Sequence, residues 1–244
     1  MRIDSAAYAS RWRCIAPSAK ALFALIGTVA AWTAHSPGML ALLAAAFVLA
    51  ALLGARVPLR TYVAVVLAPL AFLLLSCLTM LVTPGTDGAW HWAGTSLPVV
   101  AQTALRSFTV LAALLCLVLT TPLPDLLALL RSLRAPELLI DLMALCYRML
   151  FVLRQAWDDG FTAQDARLGY GRWRLAWRSA GLLTGQIAVQ VWRRAGALQA
   201  AAEARGYDGR LRFVPAQFPN ARRDHIAALL AGAALLAAAI GDRL

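Results

Sequence analysis

Two stretches of this chain, Thr61–Val82 and Leu97–Leu119, are largely apolar over a length sufficient to cross a hydrocarbon core of ~30 Å, with Arg106 the one charged residue in the second. Three further runs, Ala21–Trp32, Met39–Leu53 and Ile226–Ile240, are shorter, roughly fifteen residues each. They need their polar flanks or local bilayer thinning to cross. Ser36-Pro37-Gly38 separates the first two runs and predicts a tight helical hairpin rather than one long helix. With 61% hydrophobic and 14% charged residues and a mean hydropathy of +0.68, the chain lies far outside the composition of a soluble domain. The expectation is an all-α polytopic membrane protein with about five transmembrane helices.

The basic residues orient it. Arg2, Arg11, Arg13 and Lys20 precede the first run, and Arg56 and Arg60 lie between the second and third. Neither lysine nor arginine occurs from Thr61 to Leu105. Because basic loops stay on the cytoplasmic side, the N-terminus is expected there, with His35 and the Pro84–Ser96 loop outside. The net charge of +11, from 23 basic and 12 acidic residues, follows from the same bias and gives no reason to expect nucleic acid. The first run follows a long basic leader, and Thr33-Ala34-His35-Ser36 makes a poor cleavage site, so no cleaved signal is expected. Cys14, Cys77, Cys116 and Cys146 form no close pair and read as small buried hydrophobes rather than a disulfide or zinc set.

The chain therefore divides into residues 1–120 with four spans, residues 121–223 on the cytoplasmic side, and residues 224–244 with the last span. Fifteen arginines fall in the middle part. Pro122, Pro124 and Asp125 open a helix running to about Arg134, and Pro136 opens the next. A helical pattern continues from Glu137 to Gln164, breaks at Gly169-Tyr170-Gly171, and resumes from Trp173 to Ala204, with Gly206 as the stop. Within it, Leu138–Leu153 is a sixth apolar run, interrupted by Asp141 and Arg148, and its membrane contact is left open. Ile187, Val191 and Leu198 share a face of the last helix, and Arg194 and Arg205 project in nearly the same direction. Alanines at 195, 197, 200, 201, 202 and 204 make that helix slim enough to enter a groove. Its arginines suit either carboxylates held bidentately or anionic lipid headgroups.

The run Ala201-Ala202-Glu203-Ala204-Arg205-Gly206-Tyr207-Asp208-Gly209-Arg210 resembles the signature of the transmembrane T component (EcfT or CbiQ type) of energy-coupling factor (ECF) transporters. That family carries two Ala-Arg-Gly motifs, each ending a cytoplasmic coupling helix. The second is matched in full by Ala204, Arg205 and Gly206. The first is matched by Ala166, Arg167 and Gly169, with Leu168 inserted before the glycine. Thr121–Leu127 and Tyr147–Leu153 also resemble the family's middle region. The resemblance implies that Arg167 and Arg205 pair with acidic groups in grooves of two cytoplasmic ABC ATPases, a CbiO-like dimer. ATP-driven motion would pass from there to a substrate-binding membrane subunit, CbiM-like, with a small CbiN-like subunit as a further partner. It also implies a bacterial cytoplasmic (inner) membrane location and cobalt ion as the cargo. Nickel or vitamin T components share much of the pattern.

The residues themselves exclude some chemistry. No Gly-x-x-x-x-Gly-Lys-Ser/Thr occurs, and the one lysine precedes an apolar run, so ATP and Mg²⁺ are expected on a partner and no cofactor on this chain. His35, His91 and His225 lack metal-ligand spacing, and Trp90 and Trp92 read as an interfacial belt, so no metal site is expected. Arg106 inside a span either snorkels or meets a partner helix. Asp141 is expected to pair with Arg148, and Gly181 with Gly185 gives a weak helix-packing spacing. An integral-membrane lipid-modifying enzyme would need a second acidic pair beside Asp158-Asp159, and a lone secondary transporter would need internal repeats. Neither is found, so a non-catalytic transporter subunit is the reading.

Overall fold

A computed structural model describes residues 2–84, 90–92, 97–207, 218 and 220–242. Asp208, Gly209 and Arg210 of the signature run, and most of the Pro84–Ser96 loop, lie outside the described residues. Nine α-helices run through the described residues: α1 (Arg2–Ala9), α2 (Pro17–Thr33), α3 (Pro37–Leu49), α4 (Leu59–Leu81), α5 (Leu97–Thr120), α6 (Leu123–Ser132), α7 (Glu137–Asp165), α8 (Trp173–Glu203) and α9 (Ala221–Gly241). A short antiparallel strand pair, β1 (Val82–Pro84) and β2 (Trp90–Trp92), lies between α4 and α5, with Thr83 opposite His91. Valine, threonine and tryptophan favour extended backbone, which accounts for strand structure where the sequence reading placed only a loop. The chain forms two compact units, Met1–Leu129 with Ala216–Leu244, and Leu130–Pro215.

Four helices of the first unit are long and apolar enough to cross a membrane: Pro37–Gly54, Leu59–Leu81, Leu97–Thr120 and Ala221–Gly241. Helix α2 is a fifth, shorter apolar helix of this unit. Its 17 residues extend only about 26 Å at 1.5 Å each, but both of its ends are pinned to the ends of α9. At the start, the Ala16 amide donates to Asp224 Oδ2 at 3.0 Å; past the other end, the His35 and Ser36 amides donate to Asp242 Oδ2 at 3.1 and 2.7 Å. Helix α2 thus runs parallel to α9 and over its whole length.

Helix α5 runs antiparallel to α2. Lys20 Nζ donates to the Thr120 carbonyl at 2.9 Å, closing the end of α5 with a cation where the helix dipole is negative. At the opposite end Gln102 reaches the His35 carbonyl at 2.9 Å, and Arg106 reaches the Ala34 carbonyl at 3.1 Å. Arg106 also lies 5.6 Å over the Trp32 ring. It therefore meets a neighbouring helix of its own chain, capping α2, rather than snorkelling to solvent.

Ser36 caps α3 by accepting from the Met39 amide at 3.1 Å, with Pro37 in the first turn, so the hairpin between α2 and α3 is built as its punctuation predicts. Phe47 is fully buried and lies against the backbone of α2 where Gly27 has no side chain; an added Cβ there would run into the ring. Around it pack Ala51, Ala55, Ala112, Ala113 and Leu119. Of the α4 side chains only Tyr62 is buried, and Phe72 and Leu74 stand outward as on a lipid-facing helix. Among the cysteines Cys116 is buried, but Cys14 and Cys146 are exposed, so the expectation of buried small hydrophobes fails for those two.

The Asp242 clasp is pH-sensitive in a defined direction. Hydrogen bonds from Ser36, side chain first and then backbone, hold the Asp242 carboxyl below the usual carboxylate range. A lowered acid contributes stability that is present above its unfolded pKa and lost as pH falls through the folded one. Asp242→Asn is therefore expected to lower Tm at neutral pH, with the difference from wild type starting to shrink below about pH 4 and vanishing only once pH falls beneath the lowered pKa. A difference unchanged from pH 7 to pH 3 would show that the charge has no part in the clasp.

Candidate functional site

The second unit is a helical hairpin. Helices α7 and α8 are antiparallel, with Met149, Val152, Leu153 and Ala156 facing Ile187, Gln190, Val191 and Arg194 across a small apolar cavity. Further along, Leu183 is buried and fills the place a side chain would take at Gly160. Ile187 and Val191 do share the packed face, as their spacing requires. Arg194 lines the same cleft beside them. Asp141 pairs with Arg131 at 3.4 Å, because the start of α7 lies beside the end of α6. Gly181 and Gly185 have no atom within 4 Å of where a side chain would begin, so their spacing serves no packing within the described residues.

The two Ala-Arg elements end their helices by the same backbone pattern. Ala166 and Ala204 are the C-cap residues, with φ/ψ of −59/−23° and −62/−20°. The following arginine donates its amide three residues back, Arg167 to Gln164 at 3.2 Å and Arg205 to Ala202 at 3.0 Å. The next residue is left-handed in both, Leu168 at φ 57° and Gly206 at φ 74°. The residue after that closes the turn five residues back, Gly169 to Gln164 at 2.9 Å and Tyr207 to Ala202 at 3.0 Å. Both are Schellman caps, in which orphan carbonyls of the last turn gain amide partners.

The structural counterpart of Gly206 is therefore Leu168, not Gly169. Gly169 has a different reason to be glycine. A Cβ there would stand 2.5 Å from Ser179 Oγ and 2.9 Å from the Gln164 carbonyl oxygen. The Ser179 hydroxyl donates to the Gly169 carbonyl at 3.0 Å, and Tyr170 stacks on Phe161 with centroids 4.6 Å apart, tying the loop back to both helices. Leu168, Ser179 and Tyr170 escape sequence reasoning. Their one visible signal, a glycine near a helix end, points one residue too far along. Since a left-handed leucine costs roughly 1–2 kcal/mol, Leu168→Gly is expected to stabilise this end by ~1 kcal/mol, raising the denaturant midpoint at unchanged slope. A lowered midpoint would mean that the leucine side chain contributes more than its backbone costs.

Arg167 and Arg205 are not brought together. Helix α8 has 31 residues between them, a length of about 46 Å, so the two guanidinium groups occupy opposite ends of one rod. Both are exposed, and among the described residues neither has an ion-pair partner. Arg154 by contrast is held by Asp158 at 2.9 Å one turn away. Two exposed arginines on matching rigid caps are suited to accept carboxylates from outside the chain, where a planar fork can bind bidentately. Among the described residues no group of three His, Cys, Asp or Glu side chains could hold a metal ion.

Bundle, connecting segment and paired caps define a multi-pass, all-α membrane protein with a separate helical hairpin. The family model for CbiQ, described as a cobalt transport protein, matches residues 9–214, and the chain belongs to this family. It is similar to the cobalt transport protein CbiQ of Rhodobacter capsulatus, 34% identical over 213 residues, covering 87% of this chain and 86% of the relative. It is likewise similar to CbiQ of Salmonella typhimurium, 31% identical over 205 residues, covering 79% and 90%. A putative fused cobalt transport protein CbiMQ of Methanocorpusculum labreanum is 30% identical over 218 residues, covering 85% of this chain. The chain spans 36% of that fused relative's length.

Proposed function

We propose that this chain is the energy-coupling T component of an ECF-type importer for cobalt ion in a bacterial cytoplasmic membrane, with its N-terminus and the α7–α8 hairpin cytoplasmic. The observation that carries the reading is the pair of matching caps presenting Arg167 and Arg205 at the two ends of α8. One rigid rod with a guanidinium at each end suits a two-fold partner that offers the same acidic groove twice, as a pair of ATPases does. Ala166 and Ala204 keep each tip narrow. Gly206 supplies the left-handed turn at one tip and Leu168 at the other, while Gly169 lets the first loop close on Ser179. When nucleotide draws the two grooves together or apart, the tips follow, and the hairpin passes that displacement to the spans.

In this reading ATP and Mg²⁺ belong to the partner, and this chain binds no cofactor and performs no catalysis. The ion site belongs to a CbiM-like membrane subunit, and the fused CbiMQ relative supports that partnership because fusion places the two in one chain. Co-expression with an ABC ATPase and a CbiM-like subunit tests the proposal. The three are expected to purify together and to take up cobalt only with hydrolysable ATP. Recovery of this chain free of ATPase at every detergent and salt condition would overturn it.

A further inference from the structure

The start of α8 presents a second surface that the coupling role does not use. Arg172, Trp173, Arg174, Trp177 and Arg178 are all exposed, Trp173 and Trp177 at 77% and 65%. The two indoles meet edge to face with centroids 5.6 Å apart, so they form one preassembled aromatic step. Helix α8 packs on α7 through Leu183 and Ile187, and at 100° per residue Arg174 and Arg178 fall on its opposite side. From Ala166 to Ala202 the chain holds six arginines and no aspartate or glutamate. Nothing within that stretch neutralises the patch.

We infer that this Arg–Trp patch is a docking surface for the anionic phospholipid headgroups of the membrane that the spans cross. Three observations favour lipid over an acidic protein. Tryptophan with arginine is the pairing that settles at a bilayer interface, where the indole sits at headgroup level and the cation meets phosphate. The segment carrying α7 and α8 is tied at both ends to one end of the bundle: α5 stops where Lys20 at the start of α2 meets Thr120, and α9 begins where Ala16 meets Asp224. Both connections therefore leave the spans at the same end, which keeps the chain of the hairpin on one side of the bilayer that the spans cross. Arg174 and Arg178 belong to neither cap, and their side chains lie along an exposed helix face rather than at a narrow tip.

The test uses the full chain without ATPase, so its result is independent of the coupling reading. The protein is reconstituted in phosphatidylcholine vesicles containing brominated phosphatidylglycerol or brominated phosphatidylcholine, and tryptophan quenching is followed against mole fraction. The component lost in a Trp173→Phe, Trp177→Phe variant isolates the patch from the other tryptophans. That component is expected to half-quench at a phosphatidylglycerol fraction at least fivefold below that of phosphatidylcholine, about fivefold being the order for one arginine near an anionic surface. High salt should erase the preference. Arg172, Arg174 and Arg178 changed together to Gln should abolish it, and changed to Lys should keep it. Equal quenching by both lipids overturns the proposal, as does a preference that survives the Gln variant or high salt. Loss in the Lys variant would point to a forked, carboxylate-reading site on an acidic protein and overturns it too.

Discussion

Arg205→Ala in the assembled transporter is expected to cut cobalt uptake at least tenfold while membrane insertion and the amount of protein stay normal. The cap survives this change, because its left-handed residue is Gly206 and its closing bond is the Tyr207 amide to the Ala202 carbonyl at 3.0 Å, neither of which uses the guanidinium. What is lost is the fork itself. A charge-assisted bidentate contact contributes about 1.5–3 kcal/mol, enough for a ten- to hundredfold effect when it is the sole handle at one tip. Arg205→Lys should recover little, since an ammonium offers a point charge without the planar fork. The double variant Arg167→Ala, Arg205→Ala should lose uptake altogether, measured as ⁵⁷Co accumulation at matched expression. Uptake by the double variant equal to wild type would remove both arginines from the mechanism.

Gly27→Ala carries the largest expected effect on stability. The ring of Phe47 lies where the new Cβ would go, and because Phe47 is fully buried, the ring or the helix must shift. Overpacking of this kind costs about 1–3 kcal/mol, so α2 and α3 are expected to separate or shift and the melting temperature to fall. Phe47→Leu should partly rescue Gly27→Ala, the two changes being in contact and hence non-additive. A double variant no more stable than the Gly27→Ala protein would show that the clash is not the cause.

The fold was largely readable from local signals. Pro37 after Ser36 broke the first hairpin, Pro136 opened α7 at Glu137, and Gly206 stopped α8, because each residue acts on the backbone within one turn of itself. The long-range pairings were not readable. Asp224 and Asp242 each bond to amides more than two hundred positions away, and nothing in their immediate neighbours marks α2 as the parallel partner of α9. Asp141 illustrates the same limit. Arg148 was the obvious mate at helical spacing, and the turn at Arg134 and Pro136 brings Arg131 to it as well. At the candidate site the placing of Arg167 and Arg205 at helix ends was legible. The first cap was misread by one residue, because a left-handed leucine leaves no mark in sequence and the neighbouring Gly169 is glycine for packing reasons.

The central claim is that both ends of α8 bear on a nucleotide-driven partner. Its most direct measurement is site-specific crosslinking from photoreactive residues placed at Arg167 and at Arg205 in the intact complex. Adducts to the ATPase from both positions, with yields that change between nucleotide-free and ATP-bound states, are what the account predicts. Adducts to lipid alone, or to the ATPase from neither position, would contradict it.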